Sequence, residues 1–143
     1  MMFYLHSRSK ASTSTRAVWQ SAAQRLGLMY YPPFLIDTRL HRIEGVVEEM
    51  HIIITALIAP QGKYTQPTPT TRYAIRTIHN RPTSYCAGME TAFQQMRCSR
   101  FYTQSNWIIV EFEQIESKRE TIIATTRTLL RFLREPLPQA PLG

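Results

Sequence analysis

Residues 70–79, TTRYAIRTIH, alternate between apolar and basic side chains, and this alternation limits the possible folds more than any other stretch. In a β-strand, successive side chains point to opposite faces of the sheet. Tyr73 and Ile75 then share one face, and Arg72 and Arg76 share the other. A strand with this pattern belongs to a sheet that has one covered apolar face and one face that carries arginine.

A second strand is predicted over residues 107–112, where apolar and mixed positions alternate. Its cleanly apolar set should face the core and consists of Ile108, Val110 and Phe112. Glu111 and Glu113 fall on the other face. There they could bind a cation, or form ion pairs with Arg72 and Arg76 of an adjacent strand. Either these ion pairs or the binding of a polyanion would explain why Arg72 and Arg76 lie on the same face of the sheet.

An amphipathic helix is predicted over residues 41–58, beginning after Asp37 or Thr38 and ending before Pro60. Apolar residues recur there at spacings of 3, 4 and 7, as on one face of a helix. The stripe consists of Ile43, Val46, Val47, Met50, Ile54 and Leu57. The preceding segment predicts a strand over Phe34 to Asp37, entered through Pro33.

Two further helices are expected in the second half of the chain. Met89, Phe93 and Met96 stand at helical spacing and predict a short helix inserted between two strands. Ser117 and Glu120 form a capping box that begins a last helix. The end of that helix, from about residue 129 to 134, could instead be a strand.

The resulting order is strand, helix, strand, strand, helix and a possible strand. This order is typical of an α+β, ferredoxin-like split βαβ sandwich. We expect this domain over residues 29–136, with an insertion at about 81–98. A basic N-terminal arm over residues 1–28 would contain a helix that begins at Ser14 or Thr15 and ends at Gly27. Residues 137–143 are proline-rich and should form an extended tail.

The chain carries 17 Lys and Arg residues against 10 Asp and Glu, a formal charge of +7. Fourteen of the basic residues are arginines, whose planar guanidinium groups bind phosphate bidentately and stack on bases. The charge favours a polyanion, with RNA the leading choice, over a basic surface that has no specific partner. The predicted RNA-binding residues cluster in the middle of the chain and are Arg72, Tyr73, Arg76, Arg81, Arg97, Arg100 and Tyr102.

Residues 1–26 contain Ser, Thr and Arg but no acidic residue, a composition typical of a mitochondrial import signal. We expect an import signal that is retained as an ordered arm, with a simple basic N-terminal helix as the alternative, and a location in the mitochondrial matrix. No run of 18 apolar residues predicts a membrane span. Cys86 and Cys98 are expected to be free thiols, with a disulfide as the alternative.

Catalytic chemistry finds little support in the sequence. His79 precedes Cys86 by seven residues across a proline turn, and no third group is placed to orient the histidine. Glycine-rich phosphate loops and CxxC pairs are absent from the sequence. A ferredoxin-like enzyme or small-molecule domain would need a pocket with converging polar groups. We therefore expect no enzyme, no metal and no cofactor.

Two segments resemble the bacterial-type ribosomal protein S-six family of the small subunit, in its mitochondrial form. Tyr73 to Arg76, with His79 close behind, is similar to the second strand of that family. Residues 102–112, YTQSNWIIVEF, are similar to its third strand. The helix expected over 41–58 matches in length and position, and the similarity covers roughly residues 30–136.

The resemblance implies a structural constituent of the mitochondrial small ribosomal subunit. Such a protein binds rRNA, lies beside a homologue of ribosomal protein S-eighteen and performs no chemistry. The alternative is an accessory scaffold subunit of another large mitochondrial complex, which makes protein contacts only. RNA binding that weakens steeply with salt would separate the two.

Overall fold

In the computed structural model, six antiparallel strands form one sheet and three helices pack against it. The structure describes residues 15–33, 39–59, 68–78 and 87–134. The strand order is β1-β2-β3-β4-β6-β5. The elements are α1 (15–26), β1 (Met29–Tyr31), β2 (Arg39–Val47), β3 (Met50–Ala59), β4 (Thr68–Thr77), α2 (Ala87–Gln95), β5 (Arg100–Gln104), β6 (Trp107–Glu113) and α3 (Arg119–Arg134).

The hydrophobic core lies between the three helices and one face of the sheet. Alternate residues of the central strands point into it, as the pattern at residues 70–79 predicts. The largest fully buried side chains come from both layers and are Trp19, Tyr73, Phe93, Ile43, Ile52, Ile54, Ile75, Met89, Ile108, Ile122, Leu129 and Val110. The sheet therefore has a helix-covered face and a face that helices α1 to α3 leave uncovered.

The helix predicted over residues 41–58 is wrong, because this segment forms the β2–β3 hairpin. Ile43 pairs with Ile54 in antiparallel register. Glu48 and Glu49 form the two-residue turn with φ values of 52° and 66°, the left-handed conformation that matches the twist of a hairpin. The run of β-branched residues in HIIIT favours a strand. Both faces of β3 are largely covered, and a strand covered on both faces gives a continuous apolar run instead of an alternating pattern.

The split βαβ arrangement depended on that helix and is not the arrangement of the described strands. Each pair of neighbouring strands in the sheet is antiparallel. The α+β class is confirmed. The strand expected over residues 34–37 lies outside the described residues. The match of the expected helix to ribosomal protein S-six is lost as well, so the resemblance rests on its two strand segments alone.

The remaining elements follow the sequence more closely. Met89 and Phe93 are buried on α2, while Met96 lies beyond its end and is 39% exposed. Strand β6 buries Ile108 and Val110 as predicted. Strand β5 was not predicted, and it joins β6 through a two-residue turn at Ser105 and Asn106.

Helix α3 extends to Arg134, so the alternative of a final strand is wrong. Its beginning lies where the capping box predicts. Just before the helix, Oε2 of Glu116 accepts hydrogen bonds from the amides of Ser117 and Lys118.

Helix α1 was expected in a separate arm, but it contributes to the core of the domain. Trp19 is fully buried, and its Nε1 donates a hydrogen bond of 2.9 Å to the carbonyl oxygen of Glu116. Gly27, with φ of 72°, ends the helix, and the amide of Leu28 donates to the carbonyl of Ala23. This is the Schellman arrangement expected at a glycine C-terminus. The division at residue 28 therefore does not separate α1 from the core.

Substitution of Trp19 would show whether α1 is an integral part of the domain. We expect Trp19→Ala to lower the free energy of unfolding by about 3–5 kcal/mol, because it removes a large buried side chain and leaves a cavity. The measurement is chemical denaturation followed by circular dichroism. Gln20→Ala, at an exposed position of the same helix, should change stability by less than about 0.5 kcal/mol. Equal and small effects of both changes would show that α1 is a dispensable arm.

His41 links α1 to the sheet. Its ring stacks on Trp19 at 5.6 Å between centroids. Its Nδ1 lies 2.7 Å from the hydroxyl of Tyr30. Burial, and to a smaller degree the charge of Arg16, lowers the pKa of His41 below its ordinary value of 6.5. The folded state therefore binds the proton less readily than the unfolded chain does.

This shift predicts a pH dependence of stability. As the pH falls below about 6.5, the unfolded chain takes up a proton at His41 before the folded chain does, so folding becomes less favourable. We expect the free energy of unfolding to fall between about pH 7 and pH 5. His41→Gln should flatten this slope in denaturation curves measured across the range. An identical slope in the variant would contradict a role for His41.

Candidate interaction surface on the open sheet face

The side of the sheet that faces away from helices α1 to α3 is here called the open face. Tyr73 and Ile75 point into the core, so the intervening residues of β4 point to the open face. The strand register then aligns side chains in rows across the sheet. One row contains Tyr31, Arg42, Thr55, Arg72, Glu111 and Arg100, and the next contains Met29, Glu44, Ile53, Ala74, Ile109 and Tyr102.

Three arginines of the open face lie on aromatic rings. The guanidinium carbon of Arg42 lies 4.4 Å from the ring centroid of Tyr31. Arg100 lies 4.4 Å from the ring of Tyr102, and Arg76 lies 4.7 Å from that of Trp107. Cation–π attraction holds each guanidinium over its ring.

Glu111 is the anchor of the arginine row. Only 4% of it is exposed, and its Oε2 accepts hydrogen bonds from Nε of Arg72 at 2.7 Å and from the Tyr102 hydroxyl at 3.0 Å. A terminal nitrogen of Arg100 lies 3.6 Å from Oε1. Burial raises the pKa of Tyr102, and the hydrogen bond to Glu111 adds to this effect. The ion pairing considered from the sequence is thus confirmed for Arg72.

Arg76 differs from the other arginines of the open face. Arg42 lies 3.5 Å from Glu44, while Arg72 and Arg100 pair with Glu111. Among the residues that the structure describes, Arg76 has no ion pair. Its Nε is buried without a hydrogen-bond partner, as is the Nε of Arg42. Arg76 is therefore the one arginine of this face whose charge the described residues leave uncompensated.

A groove of about 430 Å³ lies in the middle of the open face. Its floor is apolar, and Arg72 and Trp107 contribute polar and aromatic walls. The described residues that line it are Ile53, Thr55, Leu57, Arg72, Ala74, Trp107 and Ile109.

The structure brings together four of the predicted RNA-binding residues: Arg72, Arg76, Arg100 and Tyr102. Tyr73 is wrong as a contact residue, because it is 1% exposed, lies on the core side and packs edge-to-face on Phe112. Burial raises its pKa strongly. The same alternation that places Arg72 outside the core places Tyr73 inside it, so the sequence already contained this information.

Arg97 is exposed beyond the end of α2, away from the open face, and Arg81 lies outside the described residues. The sequence analysis missed three members of the open face, Tyr31, Arg42 and Trp107. Trp107 could have been found, since it alternates with Ile109 and Glu111 on β6. Tyr31 and Arg42 could not, because they join the face only through the β1–β2 and β2–β3 pairings.

Much of the uncompensated positive charge lies outside the open face. Five exposed arginines have no ion pair within the described ranges; they are Arg16, Arg25, Arg97, Arg127 and Arg131. Four of these lie on helices α1 and α3. The open face is rich in stacking groups but nearly balanced in charge, while the helical layer carries exposed, unbalanced cations.

Comparison with family models, curated proteins and solved structures gives no match. In the part of the chain that the structure describes, no helix is long and apolar enough to cross a membrane. No group of His, Cys, Asp and Glu side chains suited to a metal ion is found among these same residues. Cys98 is a free thiol, while Cys86 lies outside the described ranges.

The arrangement around Glu111 predicts a measurable contribution to stability. Glu111→Gln keeps the shape of the side chain but removes the charge that Arg72 requires. We expect the free energy of unfolding to fall by about 2 kcal/mol, since a charged hydrogen bond is lost at a buried acceptor while Arg72 keeps partial access to water. Denaturant unfolding measures this change.

Glu113→Gln provides the matched control, because Glu113 occupies the same face two residues further along β6 and is exposed. This variant should remain within about 0.5 kcal/mol of the native chain. If the two variants lose the same stability, Glu111 does not anchor the arginine row.

Proposed function

We propose that this protein is a structural component of the mitochondrial small ribosomal subunit and binds rRNA through its open sheet face. Neighbouring ribosomal proteins, including a homologue of ribosomal protein S-eighteen, would pack against it, and it would carry out no chemistry. The resemblance of residues 73–76 and 102–112 to ribosomal protein S-six supports this proposal. The import-like composition of residues 1–26 supports a location in the mitochondrial matrix. This function does not require a ferredoxin-like fold, whose expected helix over residues 41–58 is a hairpin.

The single observation that carries RNA binding is the set of three guanidinium–aromatic stacks on a sheet face that no described helix covers. Single-stranded RNA is recognised by stacking of unpaired bases on aromatic rings and on guanidinium planes. A guanidinium that is already held over a ring loses less conformational entropy when it binds. Arg76 supplies a charge that nothing in the described ranges neutralises, so it is suited to contact a phosphate.

The alternative, a scaffold subunit without RNA contact, is favoured by a different observation. Glu44 and Glu111 compensate the other three arginines of the open face. An interface rich in Arg, Tyr, Trp and Met is also typical of contacts between proteins. The two functions differ in whether the purified protein binds RNA.

Arg76→Gln tests the proposed function. We expect the native chain to bind a single-stranded segment of small-subunit rRNA, and the variant to bind it about five- to tenfold more weakly. The slope of log K against log salt concentration should become shallower by about 0.7, the value for one phosphate contact on a single strand. Fluorescence anisotropy at several salt concentrations measures both quantities.

Arg127→Gln is the control, since it removes the same charge from an exposed position on helix α3. Its effect on affinity should be smaller than that of Arg76→Gln. Sedimentation of a mitochondrial extract should place the chain with small-subunit rRNA. Absence of RNA binding at low salt, with sedimentation outside the ribosomal fractions, would leave the scaffold function as the better account.

A further inference from the structure

The groove of the open face has the make-up of a site for a flat, neutral ring. Its floor is formed by Ile53, Ala74 and Ile109 in the central strands β3, β4 and β6. Trp107 lines the groove with an indole ring, and Arg72 lines it with a guanidinium. A mostly apolar concavity with a few fixed polar groups is the usual form of a site for an organic ring.

Arg72 is held in a fixed orientation. Its Nε donates to Glu111 at 2.7 Å, and the carboxylate is itself 4% exposed and bonded to Tyr102. Among the described residues, no hydrogen bond uses the two terminal nitrogens, Nη1 and Nη2. Within the described ranges these nitrogens are thus unused donors, on a side chain that is 36% exposed and borders the groove.

We infer that the groove binds an unpaired guanine base of single-stranded RNA, with Arg72 donating to its O6 and N7 atoms. This inference rests on the proposed function and names what the open face selects. Arginine offers two parallel donors, and guanine presents two acceptors at matching positions on one edge. Adenine presents an amino donor at the position of O6, and pyrimidines lack N7, so neither satisfies both nitrogens.

The charge of the site agrees with a base in the groove and phosphates outside it. Glu111 neutralises much of the charge of Arg72, so the groove attracts a neutral ring more than a phosphate. Arg76, which lies beyond Ala74 on the same strand and stacks on Trp107, is placed to hold a flanking phosphate. Contacts to phosphate position the strand, and contacts to the base edge specify it.

The partner must be single-stranded at this nucleotide. In an A-form duplex each base is stacked on both faces, and the major groove is too deep and narrow for a side chain to read. A guanine can lie on the floor of Ile53 and Ile109 and against Trp107 only when its faces are free. Loops, bulges and ends of rRNA contain such bases.

The full-length chain and its intrinsic fluorescence provide the test. Trp107 lines the groove, whereas Trp19 is fully buried in the core. Quenching during a titration therefore reports binding at the groove. The ligands are a uridine hexamer with one central guanine, the matching hexamer with a central adenine, the all-uridine hexamer, and the guanine hexamer paired to its complement. We expect the single-stranded guanine hexamer to bind at least about tenfold more tightly than the other three.

Arg72→Lys separates recognition from charge and folding. Lysine keeps the charge and can pair with Glu111, but it lacks the planar pair of donors. We expect the preference for guanine to fall to about twofold or less, while the affinity for the all-uridine hexamer stays within about threefold of the native value. Arg127→Lys, the same replacement on α3, should keep the full preference. Thermal unfolding of each variant identifies any loss of folded protein.

The outcomes distinguish the inference from the proposed function. Binding of all hexamers without preference, or a preference that survives Arg72→Lys, overturns the guanine site but leaves RNA binding intact. Equal binding of single-stranded and paired guanine also overturns it. Absence of binding to every RNA overturns both the guanine site and the proposed function, and the open face would then be a contact for protein.

Discussion

The pairing of β3 with β4 is the constraint on which the rest of this structure depends. It continues without interruption over ten residue pairs, from Met50 with Thr77 to Ala59 with Thr68. Because side chains alternate along a strand, this register decides which of them face the helices. A slip of one residue would move Arg72 and Arg76 into the core and expose Tyr73 and Ile75. The cost of burying two guanidinium groups holds the register in place.

The same register produces the chemistry of the open face. It sets Arg72 on the outward side of β4, and the pairing of β4 with β6 then places Arg72 opposite Glu111 beside the apolar groove. The carboxylate of Glu111 then takes part in two roles, since it compensates positive charge and orients the arginine that borders the groove. A face arranged in this way would bind a partner through stacking and directed hydrogen bonds more than through net charge. The exposed arginines of α1 and α3 can supply the less specific attraction.

The helical layer covers one face of the sheet, and no helix of the described ranges covers the other. Trp19 from α1, Phe93 from α2 and Leu129 from α3 all enter one core with the inward residues of the sheet. Helix α1 is bound to the region before α3 through the bond from Trp19 to Glu116. A segment whose composition is typical of an import signal thus ends in a helix that the domain needs.

The alternation at residues 70–79 and 107–112 is a local property, so the sequence by itself determined strands β4 and β6, their inward residues and the outward direction of Arg72 and Arg76. Local signals also determined α1, α2 and α3, through glycine, helical spacing and a polar start.

Residues 41–58 were ambiguous, because a strand covered on both faces has a continuous apolar run that also fits a helical stripe. Only the tertiary structure decided that this run is a hairpin, since the pairing of β3 with β4 satisfies its backbone and both of its apolar faces. The hairpin brought Tyr31 and Arg42 onto the open face and formed the groove beside Trp107. The tertiary structure also made the two arginines of β4 different. Arg72 has a carboxylate partner, and Arg76 has none in the described ranges. Distances between strands govern all of these features, and no pattern along the chain encodes them.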